Sequence, residues 1–164
     1  MPDSFRLTTL KALTSALEEI TIANGYQHDL ADRVHRGRVT LTQEDEIPLV
    51  TILEKPVFPE QLPTPGGSAA SETKLELLIQ GFADDDRRNP TDPAYLLLAD
   101  VQKRLAVEKL RSDGFDIFGL GERVMSLNIG QGVVRPPDAV VSDTAFFWLP
   151  VTLTIGEKFN DPFA

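Results

Sequence analysis

Two runs of carboxylates, Glu44-Asp45-Glu46 and Asp84-Asp85-Asp86, are the residues best equipped for chemistry in this chain. Brought together they would offer oxygen ligands to Mg²⁺ or Ca²⁺, the grouping a metal-dependent hydrolase or nuclease needs. Adjacent acidic residues in turns are more often solvated punctuation, and neither run has the spacing of an EF-hand loop. The histidines, His28 and His35, flank a basic segment without the three or four grouped ligands that zinc takes, and they read as packing or surface residues. Gly119-Leu120-Gly121 has Val124 where a dinucleotide fingerprint has its third glycine. There is no P-loop, no nucleophile elbow and no H-E-x-x-H motif, and no serine sits in a context that suggests activation by histidine. Without cysteine there is neither a thiol nucleophile nor a disulfide framework. The expectation is a protein that is not an enzyme and has no cofactor.

Binding is what the charges suit. Arg33, His35, Arg36 and Arg38 form a local basic strip just before the acidic run at 44–46. Firm duplex binding works by neutralising phosphates, and 16 Lys and Arg against 25 Asp and Glu leave few cations to spare. An acidic protein partner or salt bridges suit the strip better. Arg33, Arg36 and Arg38 are expected to pair with Glu44, Asp45 or Glu46, within one chain or across to a neighbouring copy. Were several copies to surround DNA, a net charge of −9 each would repel the phosphates and discourage sticking.

Aromatic residues supply a second set of candidate contacts. Phe146, Phe147 and Trp148 are consecutive, so a strand sends Phe146 and Trp148 to one face and Phe147 to the other. Such a strand is either central or covered on one face by a second copy. Phe58 in a proline-rich stretch, and Phe159 and Phe163 in a polar tail, suit docking onto a neighbour, although fraying is the default for a terminus.

The elements that must position these residues follow from pattern. Residues 4–24 read as an amphipathic helix, with Leu10, Leu13, Leu17 and Ile20 on one side, broadened by Phe5, Leu7 and Ala16. Asp3 or Ser4 can cap its start, and Gly25 suits its left-handed end. Residues 34–41 predict a partly exposed strand, 43–47 a turn that reverses the chain, and 48–54 a strand apolar on both faces. Residues 56–71, with four prolines and a Gly-Gly pair, predict an extended loop, either a surface insertion or an arm that orders on a neighbour. Residues 74–82 predict a strand pairing antiparallel with 48–54, with a bulge at Gly81.

A helix starts at Asp92-Pro93, with Leu97, Leu98, Val101 and Leu105 buried and Lys103, Arg104, Glu108, Lys109 and Arg111 on the wet side. Met125, Leu127 and Ile129 mark a strand, Arg135-Pro136-Pro137-Asp138 a break, and Ala145 to Ile155 a last, strongly apolar strand. The sum is an α+β domain spanning 1–164, a mostly antiparallel or mixed sheet of about five strands with two helices on one face, and a C-terminal tail at 156–164. No run approaches the roughly 20 apolar residues that cross a bilayer, and no signal peptide is visible.

One stretch carries a family resemblance. The chain opens with an amphipathic helix ending at Asn24-Gly25-Tyr26, and Asp29 precedes a strand holding Arg36-Gly37. An acidic stretch then leads into Pro48-Leu49-Val50-Thr51-Ile52-Leu53-Glu54, and a second helix containing Asp100 and Val101 follows a charged turn. In these respects the sequence resembles the tail terminator proteins of long-tailed bacteriophages, most clearly over residues 5–54. The resemblance implies a sheet-and-helix protein of the virion that assembles in the host cytoplasm into a ring, typically of six. Such a ring sits on the end of the tail tube at the head–tail junction, halts tube polymerisation and offers a surface to the head connector. DNA passes through its lumen without specific binding, and no membrane is involved. Other tail completion or head–tail joining proteins would look much alike. A metal-dependent hydrolase or nuclease, and a monomeric module gripping a partner through 56–71, are the readings from other classes.

Overall fold

The computed structural model describes residues 1–42, 44–55 and 70–164. The elements run α1 (Phe5–Glu18), β1 (Val34–Arg36), β2 (Leu49–Glu54), β3 (Ala70–Phe82), α2 (Asp92–Lys109), β4 (Val124–Ile129), β5 (Val133–Arg135) and β6 (Phe146–Lys158), with short 3₁₀ turns between them. The strands form one mixed sheet in the order β1-β2-β3-β6-β4, with β5 also on β6. Both helices pack on one face, so the α+β architecture is as expected, with six strands rather than five.

Helix α1 starts where Ser4 caps it, its hydroxyl accepting from the Leu7 amide at 3.2 Å. It ends at Glu18, earlier than periodicity suggests. A separate 3₁₀ turn, Ile22–Asn24, follows and is closed by Gly25 at φ 90°. The expected left-handed glycine is therefore present, but it ends that turn rather than the helix. Leu13, Leu17 and Ile20 are fully buried, whereas Leu7 is exposed. Helix α2 is preceded by Thr91, which makes no side-chain cap, and Asp92 is its first residue.

The sheet corrects the reading of residues 34–48. Strand β1 covers only Val34–Arg36 and lies parallel to β2, with Val34 opposite Val50, so the acidic turn does not close a hairpin. After β1 the chain crosses the far side of the sheet. There Leu41 and Ile47, with Val141, pack on Leu49, Phe82 and Phe146. The apolar residues on that face need a cover, and this connection supplies it.

Strands β2, β3 and β6 pair antiparallel over long registers, and β3 begins at Ala70, inside the expected loop. The register runs unbroken through Gly81, so no bulge occurs there. Glycine is required for a different reason: a Cβ at position 81 would lie 2.1 Å from Cε1 of Phe147, the residue directly opposite on β6. The bulge falls instead between Val124 and Ser126 of β4, which is why Val124 and Leu127 are buried and Met125 is exposed. Between the Val124–Ile129 strand and the expected break at Arg135–Asp138 a further short strand, β5, forms and pairs with Phe146–Trp148. Strand β6 is thus central, with β3 on one side and β4 and β5 on the other. Phe147, Leu149, Val151, Leu153 and Ile155 point from it into the core under the helices.

Candidate subunit and partner interface

The basic strip and the acidic run are joined largely within the chain. Arg33 donates from Nη2 to Glu46 at 2.9 Å and from Nη1 to the Ile47 carbonyl at 3.3 Å. Arg38 donates to Oδ2 of Asp45 at 2.5 Å, and the same oxygen accepts from the Thr42 amide at 2.7 Å. The Arg38 guanidinium and the Thr42 amide hold the Asp45 carboxyl down at about 2, from an ordinary 3.8. The Thr51 hydroxyl donates to the Arg38 carbonyl at 2.7 Å, tying this closed loop to β2. Arg36 differs from its neighbours. Its Nη1 donates to the Thr14 hydroxyl of α1 at 2.7 Å, and it forms no ion pair among the described residues. Glu44 is exposed. Of the six charges, Arg36 and Glu44 are therefore those without an ion pair among the described residues.

The aromatic candidates separate by burial. Phe146 is 1% exposed and closed off beneath the covering loops, so it offers no surface. Trp148 meets its ring edge-on at 5.6 Å and remains partly exposed on the same face. Phe159 and Phe163 are 54% and 59% exposed. They ride on a tail that is fastened rather than frayed. The Phe5 amide donates to the Pro162 carbonyl at 2.8 Å, and Arg123 donates to the carbonyls of Ala164 and Gly156 while lying 3.6 Å over the Phe5 ring. Arg6 pairs with Glu157 at 2.6 Å beside them. Phe58 lies outside the described residues, as does most of the 56–71 loop.

No protein-family model matches the chain, and no curated protein is significantly similar to it in sequence. Both acidic runs sit beyond the end of the sheet where Leu49 faces Phe82, yet no group of three or more potential metal ligands occurs among the described residues. Asp45 and Glu46 are held by arginines, and Asp86 accepts from the amides of Arg88 and Asn89 at 2.9 Å, closing its own turn.

A buried polar row on α2 is the feature that the hydrophobic pattern hid. Asp100, Arg104 and Glu108 recur at a spacing of four, and all are buried, although Arg104 and Glu108 are expected on the wet side. Arg104 donates to Glu108 at 2.6 Å, to Glu19 at 2.7 Å and to the Ala16 carbonyl at 2.8 Å, which also accepts from the Glu19 amide at the end of α1. Glu108 also accepts from the Phe118 amide at 3.0 Å. Asp100 accepts from the Gln27 amide at 2.9 Å and pairs with His28 Nδ1 at 2.7 Å. His28 is a packing residue, as expected. The row ties α1, the 21–30 segment and the 111–121 turns to α2. Its only sequence signal is opposite charges four residues apart on the edge of an apolar stripe.

Proposed function

We propose that this chain is a structural, non-catalytic protein of a phage virion that forms a ring on the end of the tail tube, stops tube polymerisation and presents a surface to the head connector. The observation that carries the reading is the resemblance over residues 5–54, from the helix ending at Asn24-Gly25-Tyr26 to the Pro48–Glu54 strand. Three further features support it. The chain has the α+β fold that the resemblance implies, and its acidic balance suits a channel through which DNA slides. It also displays phenylalanines on a fastened tail and a guanidinium at Arg36 that lacks a carboxylate partner among the described residues. Other head–tail joining proteins share these properties, and the ring geometry separates them.

In the proposed assembly Arg36 of one copy pairs with Glu44 of the next. The test is Arg36→Glu examined by light scattering and negative-stain imaging. The variant is expected to fold and fail to form rings, and combination with Glu44→Arg is expected to restore them. Rings that form equally well in Arg36→Glu would remove this pair from the interface.

A further inference from the structure

Helix α2 has two apolar faces, and the protein covers only one. Leu97, Leu98, Val101 and Leu105 are in the core, yet Tyr95, Leu96, Val107 and Leu110 stand 59%, 47%, 51% and 71% exposed on the outside. A surface helix normally keeps a polar outer face, and one that is apolar all round is normally buried all round. Leu96, Ala99, Lys103, Ala106 and Leu110 follow one another at steps of three and four, the spacing of a helix–helix seam. Together with Tyr95 and Val107 they make an apolar band on the order of several hundred Å², the size that marks a contact surface rather than scattered residues.

The order of residues along the band identifies what covers it. Read in either direction from Lys103 it is large, small, Lys, small, large. A contact across a two-fold axis sets a residue some steps before the axis against the residue the same number of steps after it, so the two halves of the band must fit each other. Two antiparallel α2 helices centred on Lys103 set Leu96 of one against Leu110 of the other and Ala99 of one against Val107 of the other, a small residue receiving a larger one. The same alignment brings the N-terminal turn of each helix, with Asp92, toward the C-terminal turn of its partner, with Lys109, and opposes the helix dipoles favourably. Lys103 does not spoil the axis. Its ammonium is turned back onto its own chain, 3.1 Å from the Gly25 carbonyl and 4.7 Å from the centre of the Tyr26 ring.

We propose that the outer face of α2 is a docking surface for α2 of a second copy of this chain, packed antiparallel about a two-fold axis at Lys103. The contact is small by the standard of stable dimers, so weak, concentration-dependent association is expected. It is independent of the ring contact proposed above, and would join two rings, or hold two free subunits, back to back.

The chain has no cysteine, so single introduced cysteines report the geometry cleanly. Under mild oxidation Lys103→Cys is expected to give a disulfide-linked dimer. Ala99→Cys is not, because its two copies would lie about 12 Å apart along the helices, eight residues at ~1.5 Å each. Adding Leu96→Glu and Leu110→Glu to Lys103→Cys is expected to lower the cross-linking rate at least tenfold with an unchanged melting temperature, since both leucines are exposed. Denaturing gels read the covalent dimer whatever the native assembly is. Equal cross-linking at 99 and 103, none at 103, or cross-linking that survives the glutamates would each overturn the proposal.

Discussion

Asp45 shows how a single carboxylate can order a loop. Its negative charge is favoured by Arg38 first and by the Thr42 amide second, so its folded pKa lies near 2 against an ordinary 3.8. A depressed carboxylate contributes order that is fully present above the unfolded value and is lost as pH falls through the folded one. The 38–47 loop is therefore expected to hold its shape at pH 5 and loosen between about 4 and 2. The Asp45 carboxyl carbon followed by NMR should titrate near 2, and Arg38→Ala should move its midpoint up toward 3.8. An unmoved midpoint would show that Arg38 is not the cause. Gly81 shows the converse, a position fixed by what it lacks. Gly81→Ala places a methyl inside the Phe147 ring position, and overpacking of this kind costs roughly 1–3 kcal/mol. Gly81→Ala combined with Phe147→Leu should be less destabilised than the two single changes summed, as denaturant melts in a double-mutant cycle would measure.

At the scale of elements, periodicity was a good guide wherever one face alone meets the core. Leu13 and Leu17 of α1, Ile20 just beyond its end, and Leu97, Val101 and Leu105 of α2 are all fully buried, and the β2–β3 pairing is antiparallel as read. It failed where burial depends on partners distant in sequence. Arg104 and Glu108 look like wet-side residues because their type says so, but α1 ends against α2, and there Arg104 donates to the Ala16 carbonyl and to Glu19. The parallel β1 was hidden for a similar reason: nothing local to residues 37–47 reveals that Leu41 and Ile47 must reach Phe146. The buried row predicts a large effect from a small change. Arg104→Met leaves buried Glu108 with only the longer pair to Arg111 at 3.7 Å, at a cost of about 3 kcal/mol, which lowers the melting temperature by roughly 6–12 °C. Thermal denaturation at pH 7 checks it, and a shift under 2 °C would mean that the row is not coupled as described.

For the whole molecule, the α+β architecture was legible from the order of helical and strand patterns, and the interface was legible only in part. Phe159 and Phe163 read from sequence as tail residues, and they are exposed on a tail fastened by Phe5 and Arg123. Phe146 read as a contact because its strand is apolar on both sides, but the covering loops bury it, a role no spacing within β6 announces. No helix among the described residues is long and apolar enough to cross a membrane. Arg36, the tail phenylalanines and the outer band of α2 lie on separate elements, and the proposed assembly would use them for different neighbours. The measurement that tests the central claim most directly is the absolute mass of the purified protein by light scattering across a concentration series, with negative-stain imaging of the same samples, alone and with tail tubes added. Rings of about six subunits with a central hole, free or seated on tube ends, are the predicted result. Monomers or dimers that go no further and leave the tubes bare would contradict it.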